Sequence, residues 1–151
     1  MKIRILTRNE NASDADSRVW SAYIDLISRE QLCDLSPVQS AAALVFRYDA
    51  DVRNGGHLQY FTSQGTDHLP SLIEALATLG AHSHREILTG AGEAYTAQPS
   101  PFIACVEQYC STTLEDEFQE YDACFHGCTP ALEHYLKEYL ALNREHFVVV
   151  Q

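Results

Sequence analysis

The sequence predicts an all-α protein: one domain over residues 1–151, built as an orthogonal array of about seven helices with a minor terminal β-ribbon. Two observations predict it. Ser36-Pro37, Ser100-Pro101 and Thr129-Pro130 each set an oxygen-bearing cap before a proline. The hydroxyl accepts from an orphan amide, and proline lacks the amide that would go unpaired at the first helical position. Apolar residues also recur at three- and four-residue steps along most of the chain.

In order, the first helix is expected between Ser13 and Arg29, with Val19, Trp20, Tyr23, Ile24 and Ile27 on one stripe. The second starts at Pro37 and carries Ala41, Ala42, Leu44, Val45 and Tyr48 inward. Asn54-Gly55-Gly56 ends it, because Asn and Gly tolerate positive φ, and aims the next helix so that Leu58 and Phe61 reach the core. Leu69 to Leu79 is a short helix stopped by Gly80 in a left-handed conformation. His84 to Tyr95 is a weaker helix, since Gly90 and Gly92 each cost about 1 kcal/mol in a helix interior. Pro101–Cys110, Leu114–Phe125 and Pro130–Phe147 complete the array. In the second of these, Leu114, Phe118, Tyr121 and Phe125 mark the buried stripe, and the acids between them are assigned to solvent. Leu132, Tyr135, Leu136, Tyr139 and Leu140 point inward from the last helix. Ile3–Leu6 and Phe147–Val150 supply the ribbon.

Composition narrows the function classes. The chain has 151 residues, 46% hydrophobic and 21% charged, an ordinary globular balance that buries roughly two-thirds of the unfolded surface. No apolar run approaches the ~20 residues of a membrane span, and the basic start Met1–Arg8 has too short an apolar stretch for a signal peptide. Cytoplasm is the expected compartment. Five cysteines, an odd number, do not read as a secreted disulfide framework.

The formal net charge is −11. Residues 1–53 are close to balance, whereas residues 87–136 hold eight acids and no Lys or Arg. Such a field repels nucleic acid and anionic membranes and attracts basic surfaces. Direct nucleic-acid binding is therefore not expected.

The most distinctive stretch is residues 48–61, Tyr-Asp-Ala-Asp-Val-Arg-Asn-Gly-Gly-His-Leu-Gln-Tyr-Phe. It resembles the signature of a DNA-mimic protein family of small acidic helical bacterial proteins, with Asn54-Gly55-Gly56 followed by Gln59-Tyr60-Phe61. Ser63-Gln64-Gly65, Leu72 to Ala81, Leu114 to Phe118 and Tyr139 to Phe147 extend the resemblance over roughly residues 18–147. Two departures stand out. His57 occupies a position where an apolar or aromatic residue is usual, and the cysteine-rich segment has no counterpart. The resemblance implies an all-α homodimer whose acids stand in for DNA phosphates on a transcription factor.

On this reading the protein binds a basic protein partner, a DNA-binding transcriptional regulator or a basic effector such as a nuclease held inactive. Glu107, Glu115, Asp116, Glu117, Glu120 and Asp122 supply the charge. Asn54, Gly55, Gly56, Gln59, Tyr60 and Phe61 are assigned to fold geometry, with Gln59 solvated or capping. No catalytic residue and no cofactor is expected, since no nucleophile with a paired base, phosphate loop, zinc-protease motif or Ca²⁺ loop is present.

Two rival classes remain. Cys124, His126 and Cys128, with Cys105 and Cys110 nearby, are weak candidates for metal or thiol chemistry, against the commoner role of buried cysteines as small hydrophobes. The acidic face of a dimeric scaffold would merely keep it soluble. His82 and His84 are expected to be exposed near a helix start.

Overall fold

The computed structural model describes residues 2–7, 15–97 and 118–151. Among them the fold is all-α with a two-stranded ribbon, as the sequence predicts. Strand β1 (Arg4–Leu6) is followed by α1 (Ala15–Arg29), α2 (Pro37–Gln64), α3 (Leu69–Leu79) and α4 (His82–Thr96). Helix α5 covers residues 118–127, and α6 (Leu132–Leu142) leads into β2 (Val148–Val150). The expected helix Pro101–Cys110 and the start of Leu114–Phe125 lie outside the described residues.

Helix α2 is the organising element, packing against α1, α3 and α6. Its start follows from local chemistry. Ser36 caps the amide of Gln39 while the Gln39 side chain returns to the amide of Ser36, with Pro37 at the first position. Gln39 is fully buried, and its Nε2 also donates to the carbonyls of Lys2 (2.7 Å) and His146 (2.5 Å). One side chain thus caps a helix and ties down the approaches to both strands.

Helix α1 buries Val19, Tyr23, Leu26 and Ile27, the face that the apolar spacing marks, while Trp20 stays half-buried beneath the Lys137 ammonium. Helix α3 ends at Gly80 with φ 83°, the expected left-handed stop. Helix α4 runs through both of its glycines. An added Cβ at Gly90 would crowd Tyr121 and one at Gly92 would crowd Leu69, so close packing offsets their poor helix propensity.

One helix start differs. Thr129-Pro130 does not open α6: that peptide is cis, and the helix begins at Leu132 behind Ala131. The Cys128 amide turns back to the Phe125 carbonyl, so the short connection from α5 uses both Thr129 and Pro130. Helix α6 stops at Leu142 instead of running to Phe147, and a 3-10 turn over Arg144–His146 carries the chain to β2.

The strands pair in parallel, Arg4 with Val148 and Leu6 with Val150. Basic residues beside them are neutralised locally. Arg4 binds Asp25 and Glu30 at 2.8 Å each, and Lys2 reaches Glu30 at 2.6 Å and Asp34 at 3.3 Å.

Candidate functional site

The Asn-Gly-Gly segment is a kink inside α2. The backbone leaves helical geometry at Gly55 (φ −154°, ψ 16°) and Gly56 (φ 78°, ψ −177°), then resumes. Gly56 occupies a conformation open essentially to glycine alone. An added Cβ at Gly56 would also run into the Asp122 carboxylate, and one at Gly55 into the Gln59 side chain. Tyr60 and Phe61 are buried beyond the kink, Gln59 folds back over it, and Asn54 is exposed.

The kink brings three polar groups together. Restarting the helix at Gly56 leaves the His57 amide free of an intrahelical partner, and Asp122 Oδ1 on α5 accepts it at 2.8 Å. The same oxygen lies 2.6 Å from His57 Nδ1. His57 Nε2 is 2.7 Å from the Tyr48 hydroxyl. Both His57 and Tyr48 are fully buried. Burial pushes the imidazole below its ordinary range, against the opposing pull of Asp122. Burial also raises the Tyr48 phenol well above its usual value. The neutral ring therefore carries its proton on Nδ1, donates to Asp122, and accepts from the Tyr48 hydroxyl at Nε2. Tyr121 and Phe125 pack edge-on to the ring. Enclosed in this way, the imidazole fastens α5 to the kink of α2.

Asp122 corrects one expectation. Its side chain is 26% exposed and committed to His57, so it is not a free acid on a binding surface. Helical geometry explains why. At 100° per residue, position 122 falls about 40° from Phe118 and ~60° from Phe125, at the edge of the stripe that those residues define. Glu120 lies on the far side and is exposed. Glu107, Glu115, Asp116 and Glu117 fall outside the described residues.

A division of charge accompanies this geometry. Asp25, Glu30, Asp34, Asp49 and Glu133 all have a Lys or Arg partner. Among the described residues, Asp16, Asp51, Asp67, Glu74, Glu86, Glu93, Glu120, Glu138 and Glu145 have none. Glu86 and Glu93 share the wall of a groove of about 680 Å³ on α4 with Arg85 and His82, and Ile73 of α3 lines it as well. They stand two turns apart, about 10 Å along the axis.

Two further expectations change. His84 is buried, 2% exposed, rather than in an open loop, because the helix starts early enough to turn it against Phe125 and Tyr135. Its Nδ1 finds no partner among the described residues. Burial, helped by the charge of Arg53, lowers its pKa to about 4. The native state thus holds His84 neutral while the unfolded chain protonates near 6.5. Between those values the unfolded state binds more protons, so stability is full above pH 6.5 and falls as pH drops towards 4, by roughly 3 kcal/mol in all. Urea titrations from pH 7 to 4 should show this slope flatten in His84→Phe.

Cys124 is exposed and Cys128 half-buried, not small hydrophobes of the core, because both follow the solvent side of Phe125. His126 is exposed as well. No group of three His, Cys, Asp or Glu among the described residues is arranged to hold a metal. Likewise, no described helix is long and apolar enough to cross a membrane.

Sequence reasoning separated Tyr48, His57 and Asp122, which the fold joins. The signal that links them is present: a histidine where an apolar residue is usual, and an acid at the edge of an aromatic stripe.

Comparison with known proteins gives one match. The family model described as DMP19-like protein matches residues 33–143, from the turn before α2 to the end of α6. No curated protein and no solved structure matches the chain. The match corrects the resemblance drawn from the sequence. A DNA-mimic family recognised by Asn54–Phe61 and reaching over residues 18–147 gives way to the family defined by this narrower span, which omits α1 and the ribbon. The chain belongs to the DMP19-like protein family.

Proposed function

We propose that the protein is an acidic protein-binding module, a DNA mimic that occupies the DNA-binding surface of a transcriptional regulator or another basic protein. The observation that carries this reading is the division of charge. Lys2, Arg4 and Arg29, at the ribbon and on α1, meet Asp25, Glu30 and Asp34, while Glu74 of α3, Glu86 and Glu93 of α4 and Glu120 of α5 have no Lys or Arg partner among the described residues, where Arg85 is the single cation of those three helices. Membership of the DMP19-like family is consistent with it. Held on rigid helices, such carboxylates steer a basic partner and set specificity, while a few buried anchors hold the complex. Action is by binding rather than catalysis, in the cytoplasm, without direct contact to nucleic acid.

The protein works as a homodimer on this proposal. Exposed Ile5, Leu142, Val149 and Val150 lie on the ribbon and at the end of α6, away from the acids of α3, α4 and α5 in sequence. Like-charged faces repel, so two copies meet best where charge is balanced.

The test is capture of partners from native lysate at low salt, with a salt gradient and mass spectrometry. A DNA-binding protein that elutes at moderate salt and is displaced by duplex DNA is the expected result. Reversing Glu117 and Glu120 together should weaken that complex about tenfold or more, and reversing Glu10 and Asp14 far less. If no basic protein is retained, the acids serve solubility alone and the mimic reading fails.

A further inference from the structure

The Cys124/Cys128 pair lies outside the charge division and outside the His57 bolt. Cys124 lies in the last turn of α5 and Cys128 just past its end, neither bridged among the described residues, one exposed and one half-buried. In a regular helix residues four apart have Cα atoms about 6 Å apart, inside the ~4.4–6.8 Å range of disulfides. Their Cβ atoms, about 5–6 Å apart, must however close to ~4 Å. A helix interior resists that movement, but a helix end beside glycine does not.

The C-terminal end of α5 has that freedom. The helix stops at Gly127, so Cys128 lies beyond the last turn. Its amide is held by a 3.2 Å bond to the Phe125 carbonyl. Gly127 is exposed, with nothing within 4 Å of where its Cβ would be. Rotation about Gly127 can therefore draw Cys128 towards Cys124 without moving a packed side chain.

We propose that Cys124 and Cys128 form a reversible intramolecular disulfide when a hydroperoxide oxidises the protein. Cys124, the more exposed, attacks the peroxide as its thiolate. The O–O bond breaks, one oxygen stays on sulfur as a sulfenic acid, and the other leaves as water or an alcohol. The Cys128 sulfur then attacks that sulfenic sulfur, the S–S bond forms, and the second oxygen leaves as water. Two thiol protons and two electrons pass to the peroxide. Burial and the neighbouring Cys124 raise the Cys128 thiol, which slows its own attack on the peroxide. Such bonds in reducing compartments are usually transient and sensory. Phe125, between the two cysteines in sequence, packs edge-on against Tyr48 and His84 and keeps the last turn of α5 in place while Cys128 moves.

The full chain, reduced and then treated with one equivalent of hydrogen peroxide, tests this. Its intact mass should fall by two hydrogens, peptide mapping should place the link between Cys124 and Cys128, and dithiothreitol should reverse it. Cys128→Ser should lose the link and yield a dimedone-reactive sulfenic acid at Cys124. Cys124→Ser should slow peroxide consumption about tenfold or more. A link through Cys33, Cys105 or Cys110 would overturn the proposal, as would over-oxidation of Cys124 without a link. Because mapping is done on the unaltered chain, the result does not depend on either variant folding.

Discussion

Gly56→Ala should lower stability by about 3 kcal/mol, the largest loss expected from removing a single glycine in this fold. Two costs combine. Alanine resists φ 78° with ψ −177°, a conformation worth ~1–3 kcal/mol of strain, and its Cβ would displace the Asp122 carboxylate, adding an overpacking cost of about 1–3 kcal/mol. For a chain of this size the melting temperature should fall by roughly 6–12 °C. Gly80→Ala is the control. Its φ is also positive, 83°, but nothing lies within 4 Å of an added Cβ, so it should cost only about 1–2 kcal/mol. Equal losses in the two variants, followed by urea denaturation, would mean that Gly56 serves the backbone alone and not the carboxylate.

His57→Leu should cost about 2–4 kcal/mol. The leucine fills most of the ring's space but leaves the Tyr48 hydroxyl buried without its partner and strips Asp122 of one of two donors. The informative variant is the double one. Adding Tyr48→Phe to His57→Leu removes the orphaned hydroxyl, and should restore about 1 kcal/mol rather than cost more. Tyr48→Phe alone should destabilise. A double variant no more stable than His57→Leu would show that the Tyr48 bond contributes nothing to the bolt. Hydrogen exchange in α5 should rise in His57→Leu more than in α3, because α5 loses its polar anchor while α3 keeps its apolar face.

Much of this architecture is legible in residue order because local rules act alone there. Ser36-Pro37 with Gln39 is a complete start signal within four residues. Gly80 is a stop signal by itself, and the stripes of α1 and α6 need only a period of 3.6. Thr129-Pro130 has the same local signature yet fails, because the turn back from Cys128 to Phe125 uses those residues for the connection. The site is less legible for a different reason. Tyr48, His57 and Asp122 are polar residues whose roles depend on a contact across 65 positions, and no local rule ranks that contact above exposure. The acids of α5 read alike in sequence, although the angle of Asp122 on the helix wheel sets it about 40° from Phe118, at the edge of the aromatic stripe. His84 was misplaced because the start of α4 was set two residues late, which turned a buried position into a loop.

The parallel ribbon bears on the order in which the chain folds. Arg4 pairs with Val148, so the ribbon closes a loop containing nearly every residue between. Local helices form in about a microsecond, and hairpins in a few, but two strands so distant in sequence gain nothing until the helices between them have condensed. During synthesis β1 waits for β2 to leave the ribosome, with Ile5 exposed and its partner Val149 not yet made. Gln39 supplies an interim hold, because its amide can take the Lys2 carbonyl before His146 arrives. The ribbon is then the last element to assemble and a seal on the finished fold.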